Sequence, residues 1–426
     1  MRRRDFFRTT MPVMLPALLP GVSLRALVSP LLQRAVRDEA QDRVLVLIQL
    51  SGGNDGLNTV IPLEFYPAYH SARANIAIPE DKVLRLEGFD GTGLNPAMPE
   101  LQQLFNAGKV SIIQGVSYPQ PNFSHFRATD IWLTGADAGQ VLPTGWAGRY
   151  LDREYPHFPE DYPNVNMPDP LAIQVGSLVS PALQGPSLTM GMAISNPGNF
   201  YQLIGDKADP VNNTRSGELL AYIREMSMKT DQYAGVIKKA AMKVTKQSDK
   251  YPAAGKNALA DQLKIVARLV AGGLQTRIYL VSMGGFDTHA RQTDATDTTA
   301  GTHARLLAKL SEAINAFQDD LGYLQVSNRV VGMTFSEFGR RIQSNASGGT
   351  DHGAAAPVFV FGEGVHPGII GQNPTWPSKL TVNDNLALQY DFRAIYSTLL
   401  EKWFRTDEAV TSAVLLKDYP ALSIIS

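Results

Sequence analysis

The sequence predicts an α/β fold, a mostly parallel sheet sandwiched between helices, with an insertion in the middle of the chain. Three observations carry this expectation. Continuous apolar, β-branched runs recur along the chain, amphipathic helical stripes separate several of them, and glycines and carboxylates cluster where the runs end. A continuous run reads as a strand covered on both faces, because a strand with one wet face alternates apolar with polar residues.

The first run, Val44-Leu45-Val46-Leu47-Ile48-Gln49-Leu50, stops at the turn cluster Ser51-Gly52-Gly53-Asn54-Asp55-Gly56. Further strand runs lie at Val110–Val116, Leu171–Val175, Ile278–Met283, Val330–Phe335 and Val358–Phe361. Ala128, Ile131 and Trp132 mark a helix that starts at Ser124 and stops at Gly135. Leu259, Leu263, Val266 and Val270 share a helical face ahead of Gly272-Gly273, and Leu306, Leu310, Ile314, Phe317, Leu321 and Leu324 form a longer stripe. The stretch about 145–255, with its proline-rich loop Tyr155–Pro170 and a charged helical run through Met228 and Lys243, reads as a cap or insertion on one domain spanning 40–426.

Composition narrows the chemistry. With 426 residues, 44% hydrophobic and 19% charged, the chain has the make-up of a globular enzyme and not of a disordered or fibrous protein. A net charge of -1 supplies no field for nucleic acid. Cysteine is absent, which excludes disulfides, thiolate zinc sites, cysteine nucleophiles and iron–sulfur clusters.

Residues 1–35 read as a separate, signal-type segment. Arg2, Arg3 and Arg4 precede an apolar run from Met11, which Pro12, Pro16 and Pro20 keep too broken for a membrane span. The paired Arg3-Arg4 with Phe6-Phe7 resembles a twin-arginine export signal, with a basic cytoplasmic tail as the plainer reading. Export by the twin-arginine machinery implies a periplasmic or secreted protein, released folded and without a transmembrane span in its mature chain. Residues 1–30 carry five arginines against Asp5, so the rest of the chain is net acidic.

In open α/β sheets the loops leaving the carboxyl ends of strands line the ligand crevice. Asp55 follows the first run and is either a turn former capping the next helix or a hard carboxylate ligand. Ser124, at a helix start, is an N-cap, and a serine there also sits where backbone N–H groups favour an anion or an alkoxide. Asp287-Thr288-His289 offers an oxygen and a nitrogen to one metal, or is a polar turn. Glu337 follows Phe335, Arg340 pairs with it or holds an anion, and Asp351-His352 lies in a glycine-rich loop before the last run.

These residues resemble the alkaline phosphatase/sulfatase superfamily and, more narrowly, the DUF1501 family of exported bacterial proteins. The motifs are Leu50-Ser51-Gly52-Gly53-Asn54-Asp55-Gly56-Leu57-Asn58, Asn122-Phe123-Ser124-His125-Phe126, Phe286-Asp287-Thr288-His289, Ser336-Glu337-Phe338-Gly339-Arg340-Arg341 and Gly349-Thr350-Asp351-His352-Gly353. The resemblance implies an alkaline phosphatase-like fold and a site for divalent metal (Zn, Mg, Mn or Ca) that acts on phosphate or sulfate esters. In that scheme Asp55, Asp287, His289, Glu337, Asp351 and His352 are the metal ligands and Ser124 is the nucleophile. His125, Arg340 and Asn54 hold the transferred group, and the substrate is a small-molecule or glycan ester. Phe338 stands where an adjacent imidazole is expected, so either His352 is the final histidine or Asp351-His352 is the displaced pair. The alternative function is a catalytically degenerate envelope protein that binds metal or glycan.

Overall fold

The computed structural model describes residues 42–195, 231–377 and 379–426. The signal-type segment 1–35 and residues 196–230 of the middle stretch lie outside the described residues.

Among the described residues nine strands form the main sheet: β1 (Val44–Leu50), β2 (Val110–Ser117), β3 (Ala172–Val175), β4 (Met192–Ile194), β5 (Ile278–Met283), β6 (Val330–Phe335), β7 (Ala356–Phe361), β8 (Gly368–Ile370) and β9 (Tyr390–Asp391). Their order is β8-β2-β7-β6-β1-β5-β3-β4, with β9 beside β2. All run in one direction except β7, which is antiparallel to both β2 and β6. The six strand runs seen in the sequence are all members of this sheet. Periodicity could not tell that β7 is reversed, because a buried strand has the same pattern in either direction.

β1 is the centre. Val44, Val46 and Ile48 enter one core with the helices Ala258–Ala271 and Thr302–Tyr323. Leu45 and Leu47 enter a second core on the opposite face, with Trp132, Trp146, Phe392 and Tyr396. Alternation of side chains along a strand thus divides one apolar run between two layers of helix. The observed architecture is the expected sheet between helices. The stretch expected to be a cap differs: β3 and β4 lie within it and extend the main sheet, because Ala172–Gln174 pair with Ile278–Leu280 of β5. Among the described residues no helix is long and apolar enough to cross a membrane.

Three features position the site. Because β1, β5 and β6 are parallel neighbours, the loops leaving their carboxyl ends emerge together. A hairpin, Gly339–Ser344 with Thr350–Gly353, folds over that edge and sets Arg340 opposite His352. Helix α1 (His125–Thr134), which follows β2, ends at Gly135 in the left-handed conformation and packs through Trp132. The indole stacks 5.6 Å from Phe335 of β6 and 4.3 Å from Phe392.

Trp132→Ala should therefore cost about 3–5 kcal/mol of stability, the usual range for a large aromatic truncated in a core. Denaturant unfolding measures it. A loss below about 1 kcal/mol would show that α1 is held by something other than this stack.

Candidate functional site: three imidazoles around Asp287

The loops meet closely because two glycines allow it. Gly52 has φ +122°, and a Cβ there would lie 2.3 Å from the Asp287 nitrogen; one at Gly53, with φ +78°, would strike the Phe338 ring at 2.3 Å. Ser336 Oγ donates to the Leu50 carbonyl (2.7 Å) and accepts the Asn54 N–H (2.9 Å), which ties the β6 loop to the β1 loop.

Arg340 binds the cluster together. It is buried and donates to the carbonyls of Gly53 (2.7 Å), Thr350 (2.7 Å), Phe286 (3.0 Å) and Gly52, and to Asp287 Oδ1 at 2.8 Å. Its planar fork is thus spent on five oxygens of the chain. The expected role of holding a transferred group is not available to it; Arg340 positions Asp287.

Above it three histidines share one pattern. His125 Nδ1 lies 2.9 Å from Glu337 Oε1, His289 Nδ1 3.2 Å from Asp351 Oδ1, and His352 Nδ1 2.8 Å from the Phe123 carbonyl. Each Nδ1 thus has a carboxylate or carbonyl acceptor, and a neutral ring that carries its proton there presents the Nε2 lone pair. Those Nε2 atoms face Asp287. His289 Nε2 is 3.1 Å and His352 Nε2 3.3 Å from Asp287 Oδ1, the two nitrogens are 2.9 Å apart, and His125 Nε2 is 3.5 Å from Asp287 Oδ2. The donor atoms of His125, Asp287 and His352 all lie within 4.8 Å of one another. Phe338, in the place of the expected imidazole, packs 4.3 Å from the His352 ring and 4.9 Å from His125, so it is a wall of the cluster and not a donor.

The same contacts shift three of the surrounding groups. Burial raises the Asp287 carboxyl, but hydrogen bonds from Arg340 and His352 and the charges of Arg340 and His289 outweigh it and hold it below the usual range. Burial, assisted by the charges of Arg340 and His125, lowers His352 despite its bonds to Phe123 and Asp287. Asp351 is also lowered, since Asn345 and His289 outweigh its burial.

Several expected site residues have other work. Glu337 is buried and accepts the Gly52 N–H (2.8 Å) as well as His125, so it orients a histidine instead of joining the donor set. Asp351 likewise serves His289 from its Nδ1 side, with Asn345 at 3.1 Å. Such outer carboxylates fix tautomer and ring angle. Asp55 is overturned as a ligand: both its oxygens lie 2.8 Å from Arg73 Nη1, Gln292 donates at 2.6 Å, and the side chain is fully covered. It keeps its plainer role, capping the Gly56–Thr59 turn through the Asn58 N–H. Asn54 is overturned as a substrate contact because its Oδ1 is buried against Thr59 Oγ1 (3.1 Å) and His303 Nε2 (2.9 Å). Ser124 sits at the N-cap of α1 without capping it, exposed and adjacent to His125.

Arg73, Gln292 and His303 carried no motif and were missed. Their partners lie far away in the chain, so only His303, two residues after Gly301 at a helix start, stood near any local signal.

The C-terminal half of the chain, residues 191–415, matches the family model described as "Protein of unknown function (DUF1501)", more than half of the sequence. The chain belongs to the DUF1501 family. No curated protein matches this DUF1501 chain in sequence. Among solved structures it overlaps partly with Ps i-CgsB in complex with k-i-k-neocarrahexaose, at 9% identity and a TM-score of 0.39 over 89% of this chain and 75% of that one. It overlaps with the PsFucS1 sulfatase from Pseudoalteromonas sp. at 11% identity and 0.36, over 80% and 66%. The alkaline phosphatase from the Antarctic bacterium TAB5 gives 10% and 0.31, over 76% and 92%.

The buried layer beneath the cluster makes stability depend on pH. Burial, helped by Arg340 and Arg73 and opposed by Asp55, lowers His303 to about 4 from an ordinary 6.5. Folded His303 is neutral where the unfolded chain binds a proton, so its contribution is present above pH 6.5 and is lost as the pH falls towards 4. The loss should be about 3 kcal/mol. His303→Gln, which retains a donor to Asn54, should flatten the pH dependence of unfolding by close to one proton; an unchanged slope would place the titration elsewhere.

Proposed function

We propose that this chain is an exported, metal-dependent hydrolase-like protein acting on phosphate or sulfate esters, with one cation held by Asp287, His289 and His352. One observation carries the reading. His289 Nε2, His352 Nε2 and Asp287 Oδ1 stand 2.9, 3.1 and 3.3 Å apart. That is the spacing of ligands on one ion, since ligands about 2.0–2.1 Å from a tetrahedral ion lie roughly 3.3 Å from each other. Two nitrogens and one oxygen favour zinc over the oxygen-preferring magnesium and calcium. A second cation beside Asp55 does not fit, since the Arg73 guanidinium already neutralises that carboxylate.

A divalent cation at this seat supplies Lewis-acid polarisation of an ester oxygen. The chain supplies the rest. Ser124 attacks the phosphorus or sulfur, and His125 Nε2, its lone pair set by the Nδ1 bond to Glu337, accepts the serine proton. The ester O–P or O–S bond breaks, and His125 returns that proton to the departing alcohol. Water then releases the anion from Ser124 and restores the hydroxyl. Buried Glu337 stabilises the imidazolium between the two steps.

One finding favours the alternative of a metal-binding protein without turnover: Arg340 and Arg73 are both committed to the chain, so neither is left to clamp an anion. Purified protein assayed with Zn²⁺, Mn²⁺, Mg²⁺ or Ca²⁺ against aryl phosphates and sulfates separates the two. We expect metal-dependent turnover, lowered at least about 100-fold in Ser124→Ala and His125→Ala. Elemental analysis should find the metal retained in His125→Ala and lost in His289→Ala. Bound metal with no turnover establishes the alternative; absence of bound metal in the wild type removes both.

Export rests on the Arg3-Arg4 segment. Replacing both with lysine should hold the protein in the cytoplasmic fraction of a bacterium with an intact twin-arginine pathway. Unchanged export would refute that route.

A further inference from the structure

A cavity of about 410 Å³ opens between the β8–β2 edge of the main sheet and a small sheet formed by Val60–Pro62, Leu84–Leu86 and Phe89–Leu94. Gln114 of β2, Asn373 beyond β8, Phe89 and Thr92 of the small sheet, and Glu64 and Phe65 of the Leu63–Phe65 turn line it. None of them belongs to the histidine cluster. The volume lies within the roughly 300–1,000 Å³ of small-molecule sites. Its floor is polar and covered: Gln114 is 4% exposed, and Thr92 and Asn373 are also buried. Gln114 interrupts the apolar run Ile112-Ile113 of β2, a place where an amide has to be matched by partners.

Hydrogen bonds fix which way each amide points. The Gly91 carbonyl and the Glu64 carboxylate can only accept, so Asn373 Nδ2 is the atom that meets them, at 2.8 and 3.3 Å. Asn373 Oδ1 then faces Thr92 Oγ1 and Gln114 Nε2, 2.9 Å from each, and both donate to it. Gln114 thereby spends an N–H on Asn373 and leaves its carbonyl oxygen to the cavity, where no donor of the described residues reaches it. Glu64 keeps one carboxylate oxygen, and among the described residues no lysine, arginine or histidine pairs with it. The walls thus present the Gln114 oxygen, the remaining Glu64 oxygen and the lone pairs of Thr92, with one negative charge and no cationic side chain.

We propose that this cavity is a second binding site, separate from the histidine cluster, and that it takes a small organic ammonium ion. An ammonium group has three donors and no acceptor, the complement of the three oxygens that Asn373 holds in place, and its charge answers Glu64. Phe65 and Phe89 supply apolar wall for the carbon body of the ligand. A bare metal ion would leave those rings and most of the volume unused, and an anion would meet the Glu64 charge with no cation to offset it. The site does not depend on the ester-hydrolase reading.

Cyclohexylammonium and cyclohexanol have the same ring and differ in the group that would meet Glu64, so the full chain is titrated calorimetrically at pH 7 with each. The wild type should bind the ammonium at least about tenfold more tightly, the margin of a charge-assisted contact over a neutral one. Glu64→Gln, which keeps an oxygen for Asn373, should bring the ratio close to one. Gln114→Leu should weaken the ammonium several-fold. Glu87→Gln, which removes an exposed carboxylate elsewhere on the surface, should keep the ratio. Glu64 is exposed, so its variant should fold even if the Gln114 variant does not, and circular dichroism checks both. Equal affinities in the wild type, binding of neither compound, or an unchanged ratio in Glu64→Gln each overturn the proposal and leave a cavity that holds water. Added Zn²⁺ should leave the ratio as it is; if it instead expels the amine, the amine sits at Asp287 and the second site does not exist. Ammonium binding in a chain that turns over no ester leaves this site standing and removes only the hydrolase.

Discussion

The buried guanidinium of Arg340 is the contact on which the site depends. It reaches the carbonyls of the β1 loop, the β5 loop and the overlying hairpin, and it ends on Asp287. Those segments are distant in sequence and meet only at the carboxyl edge of the sheet. A planar group with diverging donors suits this work, because it can satisfy several carbonyls that would otherwise be buried without partners. The same group keeps Asp287 ionised, so one cation both assembles the loops and sets the charge of the central carboxylate.

Two kinds of carboxylate result from this arrangement. Asp55 lies deep and is matched within the chain by Arg73, Gln292 and a helix-turn N–H. Asp287 lies half-exposed, with two imidazole Nε2 atoms side by side at one oxygen and a third near the other. The first is a closed ion pair whose removal would strand a buried charge. The second gathers three imidazole nitrogens around one carboxylate. That contrast, and not the number of acidic residues, separates structural from chemical acids in this molecule. The outer acceptors of the three histidines complete it by turning every Nε2 inward.

Much of the fold was legible from local pattern. Val44–Leu50 and the five other runs are strands because continuous β-branched sequence has few other solutions, and the Leu259–Val270 and Leu306–Leu324 stripes are helices for the same reason of period. Short strands such as Met192–Ile194 and Gly368–Ile370 escaped notice, since three residues carry no period and are strands only because a neighbour offers hydrogen bonds. Of the site, the residue types and their loops were visible. Their roles were not: Glu337 and Asp351 look like ligands in a motif, and only their position on the Nδ1 side of a ring makes them supports. Asp55 looks like a ligand until Arg73, eighteen positions on, proves to share its pocket.

Sequence alone determined that this is an α/β chain with acids and imidazoles at the ends of its strands, because strand and helix period are properties of neighbouring residues. Tertiary structure decided which of those groups share a centre, which acceptor each imidazole Nδ1 faces, and which carboxylate is already neutralised. Those are questions of distance between segments hundreds of residues apart, and a guanidinium that settles them leaves no local mark in the chain.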